Sequence, residues 1–183
     1  MYTSNDLLWT KNVKRQGGTQ WAYLDKKVGD VFYLNWPTKF KKNVLAANVG
    51  DIILIFQSVN KISGFRKGTY LTHLVTPIDN IRHEITGSTH PYTRLVGVVA
   101  HAETPLLKPD FLSFYKPNRG ACCRLDLIET RIKPDISLKQ KQTIFWDLFT
   151  NKDVNLQDTF TAIQSTINEE DESFLEGKER AEL

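Results

Sequence analysis

Hydrophobic residues recur along most of the chain in short runs, separated by Gly, Pro, Asn and Asp. The runs have the length of β-strands and are rich in β-branched and aromatic residues, a composition typical of sheet. The pattern predicts six strands: "TQWAYL" (19–24), "DVFYLNW" (30–36), "DIILIFQ" (51–57), "TYLTHLVT" (69–76), "TRLVGVVAHAE" (93–103) and "CCRLDLIET" (122–130).

Two of these runs indicate how the sheet is covered. Residues 51–56 are apolar without alternation, as in a strand buried on both faces, whereas residues 69–76 alternate in a way that gives the strand two different sides. We expect a mostly antiparallel sheet. Gly50 and Gly97 are suited to the tight corners and close backbone approaches that a small closed barrel needs.

Helical spacing of apolar residues is confined to three segments. We predict a short helix over 38–49 after Pro37, and a longer helix over 137–150 with Ser137 as its N-cap and with Lys139 and Lys141 pointing outward. A third helix is predicted over 155–170. The fold class is therefore α+β, mainly β: a barrel of about five to six strands with flanking helices and a helical C-terminus.

Charge divides the chain unevenly. The net charge is +3, but residues 169–183 contain seven acidic and two basic residues, so this segment carries −5 and residues 1–168 carry +8. We predict one domain over 1–168 and a mobile acidic tail over 169–183. A body with this excess of cations favours a polyanionic partner such as DNA or RNA.

Signals for membranes, catalysis and metals are weak. No apolar run has the length of a membrane span or a signal peptide, so we expect a cytoplasmic protein without a membrane partner. Phosphate-loop, nucleophile-elbow and zinc-ligand spacings are absent from the sequence. We therefore expect a protein that is not an enzyme, with no cofactor and no metal site.

One stretch combines an aromatic residue with cations. In "YLNWPTKFKK", Trp36 precedes Pro37, and Lys39, Lys41 and Lys42 follow within six residues. An indole beside basic side chains is typical of sites that stack a base and contact phosphates. The alternative is that Trp36 is a core residue that anchors the following helix.

Several runs resemble those of a known superfamily in the same order. "GDIILIFQS" is similar to the Gly-Asp-x-apolar-apolar-aromatic-aromatic-x-Ser signature of EVE domains, which belong to the PUA-like superfamily. "LVGVVAHAETP", "CRLDLIET" and "IKPDISLKQ" resemble later EVE segments. "LIFQSVNKISGF" and "NWPT" resemble parts of the related YTH domain.

The resemblance implies a small β-barrel that holds a modified base in an aromatic pocket at the barrel mouth. The residues it places at the base are Trp21, Trp36, Phe56, Gln57, Ser58 and Asn60. The basic residues expected around the mouth, against the nucleic-acid backbone, are Lys39, Lys41, Lys42, Arg66 and Lys67.

Two other functions stay open at this point. The first is an enzyme that acts on nucleic acid, with Asp51, Asp79, Glu84 and His90 as metal or acid–base groups. The second is a protein-interaction module whose acidic tail docks on a basic partner or folds back on the body.

Overall fold

A computed structural model of the chain describes residues 1–113, 120–131 and 135–151. Nine strands are present in this part: β1 (Leu7–Val13), β2 (Val31–Trp36), β3 (Ile52–Val59), β4 (Gly68–Pro77), β5 (His83–Glu84), β6 (Tyr92–Leu107), β7 (Leu112–Ser113), β8 (Cys122–Arg124) and β9 (Glu129–Thr130). The helices are α1 (Leu138–Thr150) and four 3-10 helices at Ser4–Asp6, Gln16–Gly18, Thr38–Leu45 and Leu125–Leu127.

The fold is mainly β and curls into a half-barrel. Six strands follow the order β2-β6-β4-β3-β1-β8, with β5 paired to β6 off this path and β7 paired to β9 in a separate two-stranded sheet. β1 and β3 run parallel, and the other pairs are antiparallel. The prediction of a mainly β, mostly antiparallel fold is confirmed.

β3 has an apolar core on each of its faces, as its unbroken hydrophobic run predicts. Ile53 and Ile55 pack inside the curl of the sheet in a cluster that includes Trp36. Ile52 and Leu54 pack on the opposite face, in a cluster that includes Phe145 of α1. A strand buried on both sides needs no polar alternation, which explains its composition.

The two ends of the curled sheet are tied together by one side-chain amide. Asn43 lies in the 3-10 helix that follows β2, and its Nδ2 donates to the carbonyl of Cys122 in β8 at 2.7 Å. The Cys122 N–H donates in return to Asn43 Oδ1 at 2.5 Å. The amide therefore pairs with β8 in the manner of a neighbouring strand, across the opening between β2 and β8.

The structure corrects several of the strand predictions. Residues 19–24 are not a strand: turns and bends occupy this segment after the 3-10 helix Gln16–Gly18, and Tyr23 within it adopts a positive φ that breaks extended backbone. The strands missed by the prediction are β1, in "LLWTKNV", and the two-residue strands β5 and β7. The run 122–130 forms β8 and β9 with a 3-10 helix between them.

The helix predictions are confirmed in part. Thr38–Leu45 is helical but of 3-10 type, and α1 begins after Ser137, which accepts from the Gln140 N–H in a capping box. The outward position predicted for Lys141 is wrong. Its side chain is 2% exposed and its ammonium donates to Asp135 Oδ2 at 2.8 Å, because an acidic partner lies on the inner side of α1.

The remaining predictions of this kind lie outside the described residues. These are the helix over 155–170, the domain boundary at residue 168 and the acidic tail over 169–183. Among the residues that the structure describes, no helix is both long enough and apolar enough to cross a membrane.

Candidate functional site

A pocket of about 1060 Å³ opens where β1 ends. β8 pairs with β1 only from Trp9 to Lys11, so in the described part of the chain the rest of β1 has no neighbour on that side. Residues 10–15 line the pocket together with parts of 22–26, 88–90 and 120–129. Its volume is at the upper end of the range for small-molecule sites, roughly 300 to 1,000 Å³.

The pocket extends to both faces of β1. Lys11 is in register with Ile55 and Asn12 with Phe56, and successive side chains of a strand point to opposite faces. We call the part inside the curl of the sheet the inner lobe, lined by Lys11, Val13, Ala22 and Tyr23. The part on the other face is the outer lobe, lined by Asn12, Phe56 and Ile128.

Lys11 is the buried cation of the inner lobe. Its side chain is 1% exposed, its ammonium lies 4.4 Å from the centroid of the Trp36 ring, and it donates to the Gly120 carbonyl at 2.7 Å. Burial lowers the pKa of this amine to about 7, against a smaller opposing influence of Cys122. A lysine in this setting changes its charge near neutral pH.

Tyr23 forms an aromatic wall of the same lobe. The centroid of its ring lies 4.6 Å from that of Phe32. Burial raises the pKa of the phenol to about 12. Tyr23 adopts a φ of 62°, in the left-handed region that non-glycine residues seldom occupy, so the surrounding structure must hold it there.

Gln57 provides part of that restraint. Its side chain is completely buried, its Nε2 donates to the Gln20 carbonyl at 2.6 Å, and its Oε1 accepts from the Ala22 N–H at 2.9 Å. The amide thus fixes the segment that precedes Tyr23. Gln57 therefore holds the backbone of the pocket wall in place without lining the pocket itself.

The outer lobe has polar groups next to an aromatic side chain. Phe56, Ser58 and Thr69 line it beside Asn12, whose Oδ1 is buried and accepts no hydrogen bond from a described residue. A buried acceptor without a donor is costly, so this oxygen is a natural contact for a donor on a ligand.

Cations outnumber acids along the pocket. The basic residues that line it are Lys11, Lys14, Arg15, Lys26 and Arg124, and the acidic residues that line it are Asp25 and Glu129. Asp25 also forms an ion pair with Lys26 at 2.7 Å. A concave site with this balance concentrates anions.

Trp36 is placed in the core. Its indole is 1% exposed, it does not line the pocket, and its Nε1 donates to Asn43 Oδ1 at 3.1 Å. The structure therefore favours the alternative interpretation of this residue as an anchor for the following helix, and it brings Lys11, not a ligand, against the indole face.

Of the other residues predicted to contact a base, some line the pocket and others do not. Phe56 and Ser58 line the outer lobe. Trp21 does not line it and packs edge to face on Phe65 and Tyr70, with centroid distances of 5.0 and 5.6 Å. Gln57 and Asn60 lie outside the lining as well; the Asn60 backbone N–H donates to the Gly18 carbonyl.

The basic residues predicted to meet the nucleic-acid backbone are exposed but do not line the pocket. Two of them rest on aromatic rings: the Lys39 ammonium lies 4.9 Å from the Phe40 centroid and that of Lys41 lies 5.1 Å from the Tyr92 centroid. The members of this set are Lys39, Lys41, Lys42, Arg66 and Lys67.

The acids and histidine of the enzyme hypothesis are not assembled in one place. Asp51 accepts from the Trp9 indole at 2.9 Å and from the Asn48 backbone at 2.8 Å. His90 lines the pocket, whereas Asp79 and Glu84 do not. Within the described ranges, no three His, Cys, Asp or Glu side chains are grouped so that they could hold a metal ion.

The sequence prediction missed Lys11 and Tyr23. A signal for Lys11 is present: Trp9 and Val13 are apolar, and Lys11 occupies the position between them on the same face of β1. A lysine in an apolar stripe indicates a buried charge with a specific partner. Tyr23 had no such signal, because its position depends on the distant Gln57.

Comparison with known proteins gives no relative: no family model, no curated protein and no solved structure matches this chain.

Proposed function

We propose that the chain is a nucleic-acid-binding module of the PUA-like, EVE type and that the pocket at the end of β1 holds one nucleotide of a DNA or RNA strand, with a modified base as the ligand class. The observation that carries the proposal is the pocket itself. It combines five cationic side chains with the aromatic residues Tyr23 and Phe56 and an unpartnered amide oxygen on Asn12.

Each of these groups supports a different part of a nucleotide. Aromatic side chains stack on bases, and stacking contributes roughly 1 to 3 kcal/mol per base. Asn12 and Ser58 offer hydrogen bonds to the edge of a base. Lys14 and Arg15 are exposed at the end of β1, where phosphates on either side of the bound nucleotide would meet them.

The structure changes which aromatic residues enter the proposal. The sequence resemblance assigned the wall to Trp36, but Tyr23 and Phe56 are the aromatic residues that line the pocket. They lie on opposite faces of β1, so the base stacks on one ring and is not sandwiched between two. Curling of the sheet and the polar end of β3 are consistent with the PUA-like part of the proposal.

The test is a fluorescence binding screen of modified nucleosides and short single-stranded oligonucleotides at two salt concentrations. We expect affinity to fall with salt. Arg15→Gln and Lys14→Gln should each reduce the slope of log K against log[salt] by about 0.7 to 0.9, because each variant neutralises one phosphate fewer than the unaltered protein.

Lys139→Gln is the matched control, because it removes an exposed cation on α1 that does not line the pocket. The control should bind like the unaltered protein. Binding that is insensitive to salt, or abolished equally in all three variants, would contradict the proposal. Asn12→Ala and Ser58→Ala test the hydrogen bonds to the base: both should weaken nucleoside binding without changing the salt slope.

A further inference from the structure

Lys11 is a buried cation for which no carboxylate partner is found among the described residues. Its described contacts are the Trp36 ring and the Gly120 carbonyl. The pocket's two carboxylates do not pair with it: Asp25 pairs with Lys26, and Glu129 forms no ion pair with Lys11 in the part of the chain that the structure describes. Burying an ammonium without an opposite charge is unfavourable, and proteins normally pair such a group.

The groups around Lys11 make the inner lobe more suited to an anion. Cys122, opposite Lys11 in β8, has a thiol whose pKa is raised to about 12 by burial, so it stays neutral. His90 lines the same pocket, and its pKa is lowered by burial and by the nearby Lys11. Arg15 adds a permanent charge at the end of the strand. Cys123, the next residue of β8, is the other thiol near Lys11 and also lines the pocket. Cys122, His90 and Arg15 therefore supply no negative charge to Lys11 near neutral pH.

We propose that the inner lobe binds a phosphate group of the nucleic-acid strand and that Lys11 is its buried countercharge, becoming protonated as the phosphate enters. This inference rests on the proposed function and assigns the phosphate to the inner lobe; the outer lobe, with Asn12, Phe56 and Ser58, is left for the base.

The coupling follows from Coulomb's law. Two opposite unit charges about 5 Å apart, at an effective dielectric constant of about 20, attract strongly enough to raise the proton affinity of the amine by a factor of about 300. In the empty pocket the pKa of Lys11 is about 7, so about half of the molecules carry the proton at pH 7. Phosphate binding completes this protonation, and the complex takes up about half a proton from the buffer.

The experiment is titration calorimetry of an octathymidylate strand into the full chain at pH 7, in buffers with different ionisation enthalpies. The apparent binding enthalpy should vary linearly with the buffer ionisation enthalpy, with a slope that corresponds to uptake of about half a proton. Lys11→Met should abolish this uptake and weaken binding about tenfold, because it removes a charge-assisted hydrogen bond to the phosphate.

Three variants isolate the source of the proton. Lys139→Met is the matched control: it removes an exposed lysine that does not line the pocket, and both binding and uptake should persist. His90→Gln should also retain uptake. Lys11→Arg keeps a permanent charge in the lobe, so it should bind the strand without taking up a proton. This variant also tests whether Lys11 is the source of the uptake if Lys11→Met does not fold.

The outcomes separate this inference from the proposed function. Salt-dependent binding without proton uptake, or uptake that survives in Lys11→Met and disappears in His90→Gln, would overturn the role of Lys11 and leave the nucleic-acid proposal standing. Absence of binding both to this strand and to every modified nucleoside and oligonucleotide of the screen would overturn both. Uptake that disappears only when Lys11 is replaced would support the inference.

Discussion

Trp36 shows how a single residue can be recognised as important and given a different role by its surroundings. The indole fills the interior of the half-barrel, its N–H reaches the amide that ties β8 to the other end of the sheet, and its face receives Lys11. The Trp36 side chain makes all three interactions, so we expect its replacement to lower the stability of the fold.

We expect Trp36→Ala to lower the free energy of unfolding by about 3 to 5 kcal/mol, since it leaves a cavity in the core. Urea denaturation measures this. Trp21→Ala is the matched control, because Trp21 is half-buried and packs on neighbouring rings at the surface; its effect should be clearly smaller. Equal destabilisation in the two variants would contradict the structural role of Trp36.

Lys11 gives the stability of the protein a pH dependence of its own. Below pH 7 the amine is protonated in both the folded and the unfolded chain, and burial of the ammonium destabilises the fold. Between about 7 and 10.5 the folded chain has released this proton while the unfolded chain retains it. The unfolded state then binds more protons, so stability rises with pH in this window.

We expect the free energy of unfolding to increase there by up to about 1.4 kcal/mol per pH unit from this one group. Urea denaturation at a series of pH values, compared with the same series for Lys11→Met, isolates the contribution. The variant should lack the rise. Parallel profiles for the two proteins would show that Lys11 does not titrate in this window.

Among the elements, those with a strong internal pattern were predictable from the sequence. The unbroken apolar run of β3 and the β-branched and aromatic composition of β2 predict their strands, and Ser137 predicts the start of α1, where Gln140 completes the cap. β1 was missed because Trp9, Lys11 and Asn12 give it a mixed composition that only its position between β3 and β8 explains.

The pocket could be predicted only in part. Phe56 and Ser58 follow the buried run of β3, which pointed to the correct end of that strand. Tyr23 and Lys11 approach from segments far away in the sequence, and the hydrogen bond that fixes the Tyr23 segment depends on Gln57 reaching back 35 residues to Ala22. Long-range interactions of this type leave no periodic signal in the chain.

Gln57 makes the link between β3 and the pocket wall testable. Gln57→Leu leaves the Gln20 carbonyl and the Ala22 N–H without their partner, and we expect destabilisation by about 1 to 3 kcal/mol for each buried group left unsatisfied. Gln57→Glu, measured at a pH low enough to keep its carboxyl protonated, retains both an acceptor for the Ala22 N–H and a donor for the Gln20 carbonyl. Its effect should be smaller, and amide hydrogen exchange at Ala22 should be faster in Gln57→Leu than in Gln57→Glu. Equal exchange rates in both would argue against the restraint.

At the scale of the whole molecule, the distribution of charge matters more than its total. Residues 1–168 carry +8, and the segment 169–183 carries −5. A strand of nucleic acid and this acidic segment compete for the same positive field if the segment can reach it.

We therefore expect deletion of residues 169–183 to tighten binding of single-stranded oligonucleotides, most strongly at low salt, where charges are least screened. The measurement is the dissociation constant at two salt concentrations for the full and the shortened chain. A variant that keeps the length but replaces the seven acids by their amides is the control for the shortening of the chain. Unchanged affinity in both would assign the segment to another role, such as binding to a protein.

The left-handed conformation of Tyr23 has a consequence for how this protein can change. Glycine would relax that backbone at no steric cost, but it would also remove the packing of the ring on Phe32 and raise the conformational entropy of the unfolded chain. The same exchange would strip the aromatic wall from the inner lobe. Side-chain packing thus keeps tyrosine at position 23 against the preference of its own backbone, and variants recovered from a screen for thermal endurance should retain an aromatic residue there.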